Sequence, residues 1–272
     1  MDEEKEEATR CCVGGLRHLQ VTIFLYSFAM FIVIPSLTDV TMAALCPGRD
    51  ECPLAIYTSG FQQAVTGVGS LMMMPLVGNL SDKMGRKALL ALPMILAIIP
   101  TAILAYSRDR NYFYAYYVTK ALTGMICDGS VHCVSLAYVA DNIPEERRAS
   151  AFGFLSGLTS AAFVVATLCA RFLLIEATFR VAASVSLIAT LYMVVFLTEV
   201  RVADASLSTP ITYGTAECDG GRLSKTIPSL KDMFSLFQNR AFTQVAFVAF
   251  FVSLADSGLH GSLQVITSSF IF

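Results

Sequence analysis

Ten residues, GNLSDKMGRK from Gly78 to Lys87, carry several charges and two glycines between two runs of nearly uninterrupted apolar sequence. Each flanking run approaches the roughly 20 residues that an α-helix needs to cross a bilayer. A turn of about ten residues between such runs predicts a hairpin of two membrane-spanning helices. Single apolar segments can satisfy their backbone hydrogen bonds in lipid only as helices. We therefore expect an all-α membrane protein.

The composition of the whole chain supports this expectation. Hydrophobic residues make up 55 % of the 272 residues and charged residues 15 %, too little polar surface for a soluble domain of this size. The net charge of −2, without a strong basic patch, argues against a nucleic-acid partner. The first seventeen residues lack the apolar core and cleavage site of a secretory signal peptide, so the first span is expected to stay in the mature protein.

Seven segments are long and apolar enough to be membrane spans. They lie near residues 19–43, 57–79, 88–106, 113–139, 150–172, 178–198 and 242–270. Lysines and arginines are concentrated on one side of these spans, which predicts that this side, with the amino terminus, is cytoplasmic. Seven crossings then place the carboxyl terminus outside or in a lumen, and the pattern fits the plasma membrane and endomembranes equally.

The spacing of the spans predicts four parts. They are a cytoplasmic tail (1–18), a six-helix bundle (19–198), a polar cytoplasmic linker rich in proline and glycine (199–241), and a seventh helix that starts an incomplete second bundle (242–272). Six helices, a long inner loop and a new helix form the layout of the amino-terminal half of a twelve-helix transporter.

Two predicted spans carry polar stripes. Lys120, Gly124, Asp128 and His132 follow one another at steps of four in the fourth span, which predicts one shared helix face. Ionisable groups are costly in lipid and tend to line a cavity, so we interpret the stripe as a proton or substrate relay. The alternative is an ion-pair network that only locks helices. Along a continuous helix, Lys120 would lie about 12 Å from Asp128, too far for direct contact.

The seventh span repeats the pattern, again at steps of four, and the two stripes predict one shared cavity. Its members are Asp256, His260 and Gln264. The alternative is that the Asp256 face lacks its intended neighbours.

Polar and small residues in two other spans have two interpretations. Gln62 and Gln63 in the second span either line the cavity or take part in helix packing. Gly153 and Gly157 form a GxxxG step, which predicts a close contact with a neighbouring helix.

Two short turns on the predicted cytoplasmic side, a first inner turn (Gly78–Lys87) and a second inner turn (Ala140–Arg148), predict a conformational gate. Asp82 can accept hydrogen bonds from a helix amino terminus or pair with an arginine, while Arg86 and Lys87 anchor the third span. The second inner turn supplies partner charges. The gate residues are Gly78, Asp82, Gly85, Arg86, Lys87, Asp141, Arg147 and Arg148. The alternative is a positively charged membrane anchor and nothing more.

The eight cysteines lack C-x-x-C spacing, so neither a metal site nor a cofactor is expected. Cys46 and Cys52 flank a Pro-Gly turn on the predicted outer side, where they form a disulfide or remain thiols. The sequence also lacks the H-E-x-x-H, P-loop, dinucleotide and G-x-S-x-G patterns, which argues against an enzyme.

The pattern G-x-x-x-D-K-x-G-R-K between Gly78 and Lys87 resembles the loop motif of the major facilitator superfamily. Ala137-Tyr-Val-Ala-Asp141, followed by Glu146-Arg-Arg-Ala-Ser-Ala-Phe-Gly153, is similar to the junction of helices four and five in tetracycline-efflux transporters. It is more similar still to the hippocampus abundant transcript-like proteins, including plant members. The resemblance implies a proton-linked exporter that moves a small organic molecule through the lipid bilayer.

Three positions depart from the family pattern. Lys120 stands where members commonly have arginine, Tyr26 where tetracycline-efflux proteins have an aspartate, and Ala166-Thr167 in place of their Gly-Pro signature. The resemblance thereby places Tyr26 in the pathway. Because only one six-helix half is complete, a transport path would need a partner, either a second half-transporter or another copy. The alternative function is a shortened, non-transporting protein that binds or regulates a full-length relative.

Overall fold

The computed structural model describes the backbone of residues 2–47, 53–84, 86–197 and short stretches between 240 and 255. Two compact units divide the chain at Glu199/Val200. In the second unit the described residues 243–245 and 247–252 are helical, and residues 247–252 are all apolar. Asp256, His260 and Gln264 of the predicted second stripe lie outside the described residues.

The first unit is built of α-helices only, as far as the structure describes it. They are α1 (Asp2–Leu45), α2 (Pro53–Met84), α3 (Arg86–Tyr106), α4 (Arg110–Cys127), α5 (Ser130–Asn142), α6 (Glu145–Phe172) and α7 (Ile175–Phe196). Five helical segments are long and apolar enough to cross a membrane: Gly15–Leu45, Lys87–Tyr106, Arg110–Asn142, Glu145–Phe172 and Ile175–Phe196. The all-α membrane fold class is therefore confirmed. The predicted second span, 57–79, lies within the longer helix α2.

The predicted fourth span, 113–139, is wrong as one continuous helix. Helix α4 ends at Cys127, Asp128 has extended backbone angles, and α5 begins at Ser130. Between them Gly129 has a φ of 84°, a left-handed conformation that glycine adopts without steric penalty. Asp-Gly is a turn signal, but the polar residues at steps of four favoured the interpretation as a continuous helix. The break places Asp128 outside regular helical geometry in the middle of the crossing.

The first inner turn is much shorter than the ten residues that the sequence predicted. Helix α2 continues to Met84 and α3 begins at Arg86. The charged residues continue the two helices instead of forming a loop. Gly85 and the side chains of Asp82 and Arg86 lie outside the described residues, and only the backbone of Gly78 is described, so their part in a gate stays a prediction.

Two apolar clusters hold the bundle together, and α1 contributes to both. The first includes Leu19, Leu90, Val134, Leu155 and Met193; the second includes Ile32, Leu104, Phe113, Ala166 and Phe179. Helix α1 packs mainly on α6 and α7, and α4 packs on α2 and α3. Every core residue named here is nearly inaccessible to solvent, so the helices that carry these clusters pack tightly against one another.

Helices α2 and α4 approach each other closely at two glycines. A Cβ added to Gly69 would lie 2.7 Å from Cβ of Met125, and one added to Gly124 would lie 2.7 Å from Cγ2 of Thr66. Thr66 is buried and donates its hydroxyl hydrogen bond to backbone within α2. This geometry supports the packing interpretation for this part of α2.

The predicted contact at the GxxxG step of α6 is not found among the described residues. Added Cβ atoms at Gly153 and Gly157 would have no described atom within 4 Å. Helix α6 instead packs through the opposite face, where Leu155, Ala162 and Ala166 are buried. The reason is helical phase, since the small residues lie about half a turn away from the buried ones.

Candidate functional site

A cavity of about 370 Å³ lies between α1, the α4–α5 break and α6. Its walls combine apolar, hydroxyl and ionisable side chains. They are Ile23, Tyr26, Ser27, Met30, Cys127, Asp128, Gly129, Val131, His132 and Thr159. The volume is in the range typical of sites for small organic ligands. Three residues predicted from sequence, Tyr26, Asp128 and His132, meet here.

Asp128 forms an ion pair at the edge of this cavity. Nζ of Lys120 lies 3.5 Å from Oδ1 of Asp128. The prediction that Lys120 is too far away is therefore wrong. That prediction used the rise along a continuous helix. The chain instead leaves the helix at Asp128, and the flexible four-carbon side chain of Lys120 reaches the carboxylate.

The other ionisable groups around Asp128 come from α1, α4 and α5. Tyr26 faces it from α1, Tyr116 and Cys127 belong to α4 itself, and His132 lies in the first turn of α5. Among the described residues, Lys120 is the cation paired with Asp128. One carboxylate, one ammonium and one imidazole thus form the charge-bearing set of the site.

His132 is exposed and lines the cavity, but the break interrupts the predicted helix face between it and Asp128. Gln62 is half-buried and Gln63 exposed on α2, and neither is among the lining residues. Ser27, Met30 and Thr159 also line the cavity but were not predicted. Small hydroxyl residues and methionine are common in apolar helices, so nothing in the sequence distinguishes these three.

The second inner turn, between α5 and α6, is held by its own hydrogen bonds. Nε of Arg148 donates to the carbonyl oxygen of Ile143 at 3.0 Å, and Nδ2 of Asn142 donates to the carbonyl oxygen of Tyr138 at 2.7 Å. Asp141 and Arg147 are exposed, and Lys87 of the first inner turn is half-buried. Arg148 thus stabilises the turn itself, and the gate stays a prediction.

Apolar helices long enough to cross a bilayer, with an open cavity between them and an ion pair at its edge, define an integral, multi-pass membrane protein. The sequence profile of the Major Facilitator Superfamily matches residues 19–271. The chain belongs to this superfamily, which points to transport rather than catalysis.

Curated relatives and a solved structure agree with this family. The hippocampus abundant transcript 1 proteins of Mus musculus and Homo sapiens are 30 % identical over 148 residues, which is 54 % of this chain and 27 % of theirs. The class H tetracycline resistance protein of Pasteurella multocida is 26 % identical over 106 residues, or 39 % of this chain and 25 % of its own. The aligned segments therefore span about a quarter of each relative.

The crystal structure of the human organic anion transporter MFSD10 (TETRAN) has the same fold. It superposes with a TM-score of 0.55 at 21 % sequence identity, over 69 % of this chain and 48 % of that one. A similarity at this level of identity describes the fold alone.

Proposed function

We propose that this chain forms the amino-terminal bundle of a secondary transporter that exchanges protons for a small organic molecule. One observation carries the proposal: the carboxylate of Asp128 lines an open, ligand-sized cavity between helices of the bundle and is paired with Lys120. A carboxylate within a membrane bundle costs free energy unless it is paired or has a function. It can bind a proton and a cationic group in turn.

The names of the relatives give the breadth of possible substrates. They include a tetracycline resistance protein and an organic anion transporter. This fold alternates access by rocking two six-helix bundles around a central site. We therefore propose that a second bundle, from a longer chain or another copy, completes the path, with the α2–α3 and α5–α6 turns as the inner gate.

Proton flux in proteoliposomes tests the transport proposal. Pure protein is reconstituted with a pH-sensitive dye inside, and a cation, an anion and a zwitterion are added in turn: tetraphenylphosphonium, p-aminohippurate and tetracycline. We expect at least one compound to change the internal pH faster than in protein-free vesicles. If none does, copies of this chain do not complete a transport path by themselves, and the binding or regulatory alternative is favoured.

We propose further that the amino terminus is cytoplasmic. The loops on the side of the spans opposite the amino terminus are poor in lysine and arginine, which is typical of the side that is not cytoplasmic. Cys46, just after α1, is disulfide-bonded, which is typical of a loop facing an oxidising compartment.

A glycosylation acceptor fused after Phe272 tests both the orientation and the seven crossings. We expect this site to be modified in a eukaryotic host, and the same acceptor fused before Met1 to remain unmodified. Modification of the amino-terminal acceptor would show that the orientation is the reverse of the proposed one. An unmodified acceptor after Phe272, with the amino-terminal one also unmodified, would argue against seven crossings.

A further inference from the structure

The two members of the Lys120–Asp128 pair are unequally accessible. The carboxylate side chain of Asp128 is 42 % exposed and the ammonium side chain of Lys120 only 23 %. Asp128 lines the cavity, whereas Lys120 does not. A molecule that enters the cavity therefore meets the negative member of the pair, and the positive member lies behind it.

The pair is also loose. A charge-assisted hydrogen bond between an ammonium and a carboxylate is usually about 2.7–2.9 Å long, whereas Nζ of Lys120 lies 3.5 Å from Oδ1 of Asp128. A loosely held carboxylate loses little when it changes partner. A second cation can thus take the place of the Lys120 ammonium at small cost.

Apart from the imidazole of His132, the cavity wall adds no group that can carry a positive charge and favour an anion. None of the described residues that line the cavity is a lysine or arginine. The negative end of α4 and the positive end of α5 meet at Asp128 and Gly129, so their dipoles offset each other. The carboxylate remains the dominant charge facing the cavity.

The rest of the cavity wall suits an apolar molecule. Ile23, Met30 and Val131 provide aliphatic surface, and the ring of Tyr26 provides a face that attracts cations. An organic anion would have to pass Asp128 and displace it from the less exposed Lys120. The arrangement therefore discriminates against anions.

We propose that this cavity binds a lipophilic organic monocation, whose charge is held by Asp128 in competition with the ammonium of Lys120. The inference rests on the proposed transport function and specifies the substrate class of the same site. Proton and substrate then compete for one carboxylate, so each can drive the release of the other.

Two ions of the same shape and opposite charge test this inference. Binding of radiolabelled tetraphenylphosphonium to the purified full chain in detergent is measured with and without tetraphenylborate as competitor. We expect saturable binding of the phosphonium and no displacement by the borate. Direct binding of labelled borate without the phosphonium would overturn the inference, as would the absence of binding by both.

Variants of the ion pair give the second arm of the test. Asp128→Asn is expected to weaken phosphonium binding by about tenfold to a hundredfold, the effect of losing one charged partner. Lys120→Met is expected to strengthen binding, since the competing ammonium is gone. Asp109→Asn, an exposed carboxylate outside the cavity, is the matched control and should bind like the wild type.

Folding is controlled by the neutral double variant Lys120→Met/Asp128→Asn, which leaves no unpaired charge. It should elute as the wild type does on size exclusion and still fail to bind the phosphonium. Undiminished binding by Asp128→Asn or by the double variant would overturn the inference. Binding without proton flux would remove the transport proposal alone, and proton flux with p-aminohippurate but no phosphonium binding would remove the inference alone.

Discussion

Replacement of Asp128 by asparagine is expected to abolish proton-coupled transport in the proteoliposome assay. The amide has nearly the same shape as the carboxylate but can neither take up nor release a proton in this pH range. It also leaves the ammonium of Lys120 without its ion-pair partner. We expect the proton flux to fall by about tenfold or more, to the level of protein-free vesicles. Asp109→Asn should retain the wild-type flux.

The double variant Lys120→Met/Asp128→Asn separates the relay from the lock. If the pair only holds helices together, the single variant is inactive because it leaves the ammonium of Lys120 unpaired. Removing both charges should then restore proton flux. If Asp128 carries the proton, the double variant is as inactive as the single one. Wild-type flux from either variant would therefore contradict the role of Asp128 as a proton carrier.

The second large effect concerns the close approach of α2 and α4. Gly69→Leu is expected to destabilise the bundle by about 1–3 kcal/mol, the usual cost of overpacking a tight contact. The new Cβ would lie 2.7 Å from Cβ of Met125 and closer still to its Cγ. A methionine side chain can rotate away, but its Cβ moves only with the backbone of α4. The helices must therefore separate, which lowers the midpoint of thermal unfolding in detergent.

Gly157→Leu in α6 is the matched control, because an added Cβ there would have no described atom within 4 Å. It should leave the unfolding midpoint nearly unchanged. The pair Gly69→Leu/Met125→Ala should recover only part of the loss, since alanine keeps the Cβ that is in the way. Equal midpoints for Gly69→Leu and Gly157→Leu would show that α2 and α4 do not pack as described.

The sequence was sufficient to predict the helical fold class and most of the spans. Long apolar runs have no other way to satisfy their backbone in lipid, so α3, α6 and α7 lie close to their predicted positions. The same reasoning overestimated the first inner turn, because charge and glycine were interpreted as loop. At the end of a helix that emerges from the membrane, charged residues are equally compatible with further helical turns.

The site was predicted in part. Asp128 and His132 were found because ionisable residues are rare in apolar segments, and Tyr26 because of the family resemblance. They lie in one cavity because the helix is broken at Gly129. Residues at steps of four predict a continuous helix and give no sign of such a break. The pairing of Lys120 with Asp128 depended on side-chain reach and on the same break.

Composition and periodicity alone determined that this chain is a bundle of membrane-crossing helices, because the bilayer allows few other structures. Tertiary structure decided which helix faces meet. Asp128 faces a cavity with Tyr26 and His132, whereas the Gly153–Gly157 face of α6 meets no described neighbour. The physical reason is that lipid imposes secondary structure on each segment separately, while contacts between segments depend on the fit of particular side chains.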